Sequence, residues 1–284
     1  MHAKVEGILI SKMPYRERDI LGKLLLRNGQ KITVLFRNGR GGKRNKKTLC
    51  LELGYFLKTE ISKSNIVYKE DDFFCANDWS LTWYHQKIRE NIKAFYLMCV
   101  FLELGLKISL TASVFSIMNE SIIFSNNNLK GEGVFNILSN ALFFLEDSLI
   151  RNNLNVTRDF LLFIVKLLYI EGVGINLKEC VYCKNLFTPV IPTKMFAVRL
   201  VPKEGGFCCN ICSEKLNIKS NHQIMIDTYT SVKQAVTTKY KNYSLLHVKN
   251  SDISQSNASK ILFNYFCYQF HFSRSEFKSI KSLW

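Results

Sequence analysis

Two pairs of closely spaced cysteines constrain this chain more than any other feature of its sequence. The first pair lies in CVYC, at residues 180–183, and the second lies in GGFCCNIC, which repeats the two-residue spacing. Two thiolates at this spacing converge from a tight turn, and two such turns complete the tetrahedral shell that Zn²⁺ prefers. The sequence therefore predicts a zinc site whose ligands are Cys180, Cys183, Cys209 and Cys212.

The predicted zinc site is structural and not catalytic, because four thiolates leave no open coordination position. Cys208 is the only plausible substitute among these ligands. The sequence has no His-x-Glu and no proline before either cysteine pair, which argues against a zinc deaminase. The five histidines stand in no nucleophile motif that we recognise. We therefore expect a protein that is not an enzyme.

The start of the sequence and its short apolar runs predict a cytosolic protein. Charged Lys4 and Glu6 interrupt the start, where a secretory segment needs an apolar region. The apolar runs FYLMCVFL and FLLFIV are far shorter than the roughly 18 residues of a membrane span. In a reducing compartment, clustered cysteines are more typical of metal ligands than of disulfides. The scattered cysteines are predicted core side chains: Cys50, Cys75, Cys99 and Cys267.

Positive charge is concentrated near the start of the chain. The formal net charge is +16, and residues 1–64 hold 15 Lys or Arg against 5 Asp or Glu. A surface that only keeps a protein in solution spreads its charge, whereas such a concentration is typical of a site for a polyanion. Nucleic acid is the commonest polyanion, so the sequence predicts a nucleic-acid-binding region here.

The densest part of this region is RNGRGGKRNKK, at residues 37–47, which contains six cations and no acid. Its glycines and asparagines predict a flexible loop. It is not a P-loop, because arginines occupy the positions that need Gly and Ser or Thr. Two interpretations remain, a solvated loop without function and a loop that neutralises phosphates. We favour the second, with the candidate DNA-binding residues Arg37, Arg40, Lys43, Arg44, Lys46 and Lys47.

Short apolar runs around this loop predict β-strands. VEGILISKM is one run, and Asn28-Gly29 separates two more, which is a strong hairpin signal. A further run extends to Ile61. Four or five strands in a basic segment of this length predict a small barrel of the oligonucleotide-binding (OB) fold. Four aromatic residues are available either for stacking on bases or for the core: Tyr15, Phe36, Tyr55 and Phe56.

Beyond Trp79 the pattern becomes helical. Apolar residues recur at intervals of three and four over 85–106 and 132–152, and a third helix is expected from a cap at Thr157 to Ile170. NASKILFNYFCYQFHF predicts another helix after the cysteines. The expected class is α+β multidomain, with an OB-fold barrel at 1–80, a helical bundle at 81–175, an inserted zinc-finger module at 176–216, and C-terminal helices at 217–284 that pack on the bundle.

The order of these features resembles the RecO family of bacterial recombination mediators. The resemblance rests on GILISKMPYRERD opening a basic barrel, on the loop GRGGKRNKK, on the helical segment, and on CxxC followed by GGxxCxxC. It implies that the four paired cysteines bind zinc and that the basic loop contacts DNA. The position after the first cysteine pair, often Gly in that family, is Lys184 here, so we expect an altered local turn.

The resemblance also implies an activity and partners. The family binds single- and double-stranded DNA, anneals complementary strands without nucleotide hydrolysis, and works with RecR to load RecA on DNA coated by single-strand binding protein (SSB). It docks the C-terminal tail of SSB on its helical part. A member would act in DNA repair and recombination in the bacterial cytoplasm, in association with the nucleoid.

Two other hypotheses stay open. A zinc-containing RNA-binding or translation-associated module would share the barrel, the basic loop and the four cysteines, and would bind structured RNA more strongly than DNA. A metal-stabilised scaffold would bind neither. The segment 173–284 carries 15 basic and 6 acidic side chains, so a second DNA-contacting surface there is also open.

Overall fold

The structure is a computed structural model of the chain. This structure describes residues 2–41, 49–63, 73–112, 133–187, 197–218, 223–247 and 252–283. Within these ranges the chain forms two compact units, Met1–Ile150 and Arg151–Trp284. The segment 81–175, which was expected to be one helical domain, is thus divided between the two units.

Five strands form a closed barrel in the first unit, in the order β1-β2-β3-β5-β4. All neighbouring pairs are antiparallel except β3 and β5, which run parallel. The predicted sheet of four or five strands is therefore confirmed, and it has five. The strands are β1 (His2–Tyr15), β2 (Asp19–Leu26), β3 (Lys31–Phe36), β4 (Phe56–Lys63) and β5 (Phe74–Trp83).

Side-chain alternation along the strands fills the barrel with apolar residues. The core includes Leu9, Leu24, Val34, Phe36 and Leu57, each no more than 1% exposed. The predicted hairpin at Asn28-Gly29 is confirmed, and Gly29 adopts a left-handed φ of 81°. Its N–H donates to the carbonyl of Leu26, which gives the three-residue loop that ends in a left-handed glycine.

Three helices complete the first unit: α1 (Lys87–Glu90), α2 (Ile92–Ile108) and α3 (Gly133–Ile150). The single helix predicted over 85–106 is wrong, because Asn91 has an extended backbone and divides α1 from α2. Its side-chain oxygen accepts hydrogen bonds from the N–H groups of Lys93 and Ala94, so it caps α2. Glu146 of α3 in turn accepts from three N–H groups at the start of α1.

By length and composition alone, α3 could cross a membrane, and among the described residues it is the one helix that passes this test. The apolar runs weighed in the sequence did not include it. A core helix of a protein that never enters a membrane passes the same test. One side of α3 is buried in this unit, through residues that include Val134, Phe135, Leu138, Leu142 and Leu145.

The second unit combines four helices with a three-stranded antiparallel sheet of order β7-β6-β8. Helix α4 packs against α6, α7 and the 3-10 segment Tyr240–His247. The cap of α4 is Asn155, which accepts from the N–H of Arg158, and not the expected Thr157. The elements are α4 (Val156–Ile170), β6 (Ala197–Val201), β7 (Gly206–Cys209), α5 (Asn210–Lys215), β8 (Gln223–Met225), α6 (Ile226–Thr237) and α7 (Asp252–Gln269). Shorter 3-10 turns lie at Pro202–Glu204, Arg274–Glu276 and Ser279–Ser282.

Candidate metal centre and nucleic-acid interface

The first cysteine pair lies in a tight turn between Glu179 and Leu186, which form an isolated antiparallel bridge. The N–H of Lys184 donates to the carbonyl of Cys180 at 3.0 Å and closes the turn. Lys184 adopts a left-handed φ of 60°, a conformation that glycine accepts with less strain. Its ammonium lies 3.6 Å from the carboxylate of Glu179. The turn is therefore made by a lysine in the left-handed conformation.

The second pair lies where β7 leads into α5. Cys209 is the N-cap of this short helix, and its sulfur accepts a hydrogen bond from the N–H of Cys212. Gly206 allows the first turn to approach, because a Cβ at this position would lie 2.7 Å from a methyl carbon of Val181. The N–H of Val181 donates to the carbonyl of Phe207 at 2.9 Å. Backbone contacts thus hold the two turns together.

These contacts bring the four predicted cysteines into one group. The sulfurs of Cys180, Cys183, Cys209 and Cys212 all lie within 4.8 Å of one another. The sulfurs of Cys183 and Cys209 are 3.8 Å apart. A tetrahedral Zn²⁺ with bonds of about 2.3 Å places its sulfur ligands about 3.8 Å apart. The group could therefore hold a metal ion, and the distance between the sulfurs of Cys183 and Cys209 fits zinc.

Cys208 is not part of this group. It is fully buried in β7 and adjoins Cys209, so the alternation of side chains along the strand directs the two sulfurs to opposite faces. The structure therefore gives no support to Cys208 as a substitute ligand.

The thiols of the group differ in acidity. Burial alone would raise the pKa of Cys180, but the N–H groups of Cys183, Cys209 and Tyr182 lower the pKa to about 6. Burial and the three neighbouring cysteines raise the pKa of Cys212 to about 12. One thiolate thus forms readily and opposes ionisation of the rest. A divalent cation would offset this repulsion, which is the behaviour expected of a metal-binding thiol set.

Side chains of three helices hold the segments that carry the two turns. The hydroxyl of Tyr169 donates to the carbonyl of Ile175 at 2.6 Å, and that of Tyr229 donates to the carbonyl of Leu177 at 2.5 Å. The amide of Gln269 donates to the carbonyl of Pro202 at 2.8 Å. Loss of order in the cysteine group would therefore reach the helices of the second unit.

The predicted DNA-binding residues fall into two sets. Arg37 and Arg40 follow β3 directly, and both are exposed. The other four residues lie outside the described part of the chain: Lys43, Arg44, Lys46 and Lys47.

Arg37 and Arg40 do not stand alone, because the segment after β3 is bonded to the turn between β1 and β2. The N–H of Arg40 donates to the carbonyl of Arg18 at 2.8 Å. The N–H of Asn38 donates to the carboxylate of Asp19 at 2.8 Å. These bonds place four exposed arginines at one end of the barrel, which we call the arginine end: Arg16, Arg18, Arg37 and Arg40.

Sequence reasoning missed Arg16 and Arg18. The signal was the run YRERD between two apolar strands, in which two acids balance the two arginines. The register of β1, β2 and β3 is needed to see that this turn meets the segment after β3.

Two lysines of strands β1 and β4 each face an acid in the sheet. Lys4 stands opposite Glu60, and Lys58 stands opposite Glu6, in the antiparallel pair of β1 and β4. Arg27 also contacts Glu6 at 2.9 Å. Opposite charges at directly facing positions attract, and in this part of the surface three cations share two acids. At the arginine end, four arginines stand with the two acids of the turn YRERD, which leaves a net charge of +2 in these two segments.

No family model matches the sequence, and no curated protein matches it. Among solved structures, the Stn1-Ten1 complex of S. pombe is 12% identical with a TM-score of 0.24, over 33% of this chain and 65% of that chain. Asparaginyl-tRNA synthetase of Entamoeba histolytica, in complex with asparaginyl-adenylate, is 11% identical with a TM-score of 0.27, over 70% of this chain and 38% of that chain. This chain thus spans less than two thirds of either structure, and likenesses this weak carry no argument about function.

Proposed function

We propose that the protein is a RecO-type recombination mediator. In this role it binds single- and double-stranded DNA, anneals complementary strands and, with RecR, promotes the loading of RecA on DNA coated by SSB. It acts through binding and through partner proteins, and not as an enzyme.

The observation that carries the proposal is the arginine end of a five-stranded barrel. Four exposed guanidinium groups there can contact phosphates and release counterions. In OB-fold barrels, the loop between strands 1 and 2 and the face of strands 2 and 3 bind oligonucleotides. The strand order and the single parallel pair of this barrel support its assignment to that fold. Two of the four arginines, Arg16 and Arg18, lie on the loop between strands 1 and 2.

The cysteine group adds a structural zinc ion to the proposal. Cys180, Cys183, Cys209 and Cys212 would hold it, and bound zinc would supply a cross-link between the two turns. The residues of this chain would position the module through the hydrogen bonds to Ile175, Leu177 and Pro202. The same order of barrel, helices and four cysteines supports the likeness to RecO.

The proposal is tested by annealing complementary DNA strands that are coated with SSB, with and without the protein and in the absence of ATP. Faster annealing of coated strands supports a mediator, because it requires action on a protein–DNA complex. Binding to naked strands without faster annealing of coated strands would reject the RecO-type role. Stronger binding to structured RNA than to DNA would instead favour the RNA-binding module.

A further inference from the structure

One aromatic residue stands beside the arginine end. Of the four aromatic residues available for stacking, Phe36 is fully buried and Tyr55 is buried beneath His85 and Tyr84. Phe56 packs against Trp83 and Phe135. Tyr15, at the end of β1, is half-buried and directly precedes Arg16. The structure therefore leaves Tyr15 as the candidate platform among these four.

A small apolar cluster separate from the barrel core supports the ring of Tyr15. The buried members of this cluster are Leu35, Phe73 and Cys75, and Tyr15 packs against them together with Leu21. The ring of Phe73 meets that of Tyr15 edge to face, with 6.4 Å between centroids. A ring packed in this way is held in one orientation, so little conformational entropy remains to be lost when a ligand binds.

Cations border the same ring. The guanidinium of Arg16 lies over it, 5.3 Å from the ring centroid. The guanidinium of Arg37 reaches Cys75 of the apolar cluster, at 4.0 Å from its sulfur. Flat groups that can stack on a base and donors that can bind phosphate thus occupy one patch.

We propose that Tyr15 and Arg16 form a stacking platform for an unpaired base, and that this platform makes the arginine end prefer single strands to duplex. The inference rests on the proposed nucleic-acid binding by the barrel. Unpaired bases stack on aromatic rings and on arginine planes, whereas both faces of a base within a duplex are already covered by its neighbours. The arginines bind the phosphates of either form, so the platform supplies the discrimination.

The test compares the affinity of the full chain for a thymine oligonucleotide and for a duplex of equal length, by fluorescence anisotropy at one salt concentration. Tyr15→Leu keeps an apolar side chain on the cluster but removes the ring. We expect it to weaken single-strand binding about tenfold and to leave duplex binding unchanged. Tyr15→Phe should bind as the wild type does. Tyr96→Leu, which removes an exposed tyrosine of α2, is the matched control and should change neither affinity.

A second measurement needs no variant. The wild type should bind an abasic oligonucleotide about tenfold more weakly than the thymine oligonucleotide, since the abasic strand offers phosphates but nothing to stack. This comparison decides the question if Tyr15→Leu does not fold. Equal affinity for the two oligonucleotides, or an equal loss for strand and duplex in Tyr15→Leu, overturns the platform while nucleic-acid binding stands. A wild type that binds neither strand nor duplex rejects the proposed function itself.

Discussion

Thr59 places a hydroxyl group inside the apolar core of the barrel. The residue is fully buried on β4 between Leu57 and Ile61, whose side chains point the same way. Within the described ranges its Oγ1 has no hydrogen-bond partner. A buried hydroxyl without a partner has lost its hydration and gained nothing in exchange. We therefore expect Thr59→Val, which keeps the shape of the side chain, to stabilise the protein by about 1 kcal/mol.

Urea denaturation of the wild type and Thr59→Val measures this difference. Thr82→Val is the matched control, because Thr82 lies exposed on β5 and its hydroxyl is available to water. The control should leave the free energy of unfolding within about 0.5 kcal/mol of the wild type. A Thr59→Val variant that is less stable than the wild type would mean that the hydroxyl has a partner after all.

His85 makes the stability of the first unit depend on pH. The ring is buried against Tyr55 and Trp83, and its Nε2 lies 2.9 Å from the carbonyl of Leu53. Burial lowers the pKa of His85 and outweighs the opposing effects of the Leu53 carbonyl and Glu146.

His85 is therefore protonated less readily in the folded chain than in the unfolded chain, where the pKa of histidine is about 6.5. The contribution of the neutral, buried ring to the stability of the fold is fully present above that pH and is lost as the pH falls below it. We expect the melting temperature to fall between pH 7 and pH 5.5, and to fall less in His85→Gln, whose amide can still donate to Leu53. His271→Asn, at an exposed position with a left-handed backbone, is the control and should follow the wild type. An equal fall in His85→Gln would contradict this role.

At the scale of elements, the cysteine group joins two turns that come from different parts of the second unit. We expect Cys209→Ser to lose the bound zinc and to destabilise this unit, because metal binding and folding are coupled in such modules. Metal content by mass spectrometry should fall from about one zinc ion per chain to nearly none. A chelator added to the wild type should also lower its melting temperature.

Cys208→Ala separates the role of the ligand from that of a buried thiol. Cys208 is fully buried but lies outside the group, so this variant should be less stable than the wild type and yet keep its zinc. If Cys209→Ser retains a full zinc content, or if Cys208→Ala loses it, the four grouped cysteines are not the ligand set.

Local signals predicted the elements that depend on local chemistry. The hairpin around Gly29, the strands on both sides of it and the convergence of the four cysteines all follow from spacing and turn residues. The break at Asn91 was missed, because the apolar period continues across it and only the cap geometry reveals it. Strand β5 was not identified, since the helical pattern was expected to begin beyond Trp79, which lies within this strand.

The candidate DNA-binding site was predicted only in part, because some of its residues are brought together by contacts between separate segments. The basic loop is visible in the sequence because its cations are closely spaced. The contribution of Arg16 and Arg18 depends on hydrogen bonds between segments about 20 residues apart, which composition does not encode. Tyr15 could not be separated from Phe36, because a period of two does not say which face of a strand lies inside the barrel.

At the scale of the whole molecule, the net charge of +16 leaves two explanations for any binding of DNA. The protein could attract phosphate through its total charge, or it could contact phosphate at the arginine end. The double substitution Arg18→Gln with Arg40→Gln distinguishes them. If these arginines contact phosphates, the slope of log K against log salt should become shallower by about 2, one for each lost contact. Filter binding over a range of NaCl concentrations measures this slope.

The control removes the same charge elsewhere. Lys4→Gln with Lys58→Gln also lowers the net charge by two, but these lysines face Glu60 and Glu6 in the sheet. Lys4 lies near the start of β1 and Arg16 follows the other end of that strand, so the loss of these lysines should leave the salt slope of DNA binding unchanged. If both double variants flatten the slope equally, total charge governs binding and the arginine end is not the site. A flatter slope in the arginine variant alone would assign the phosphate contacts to that end of the barrel.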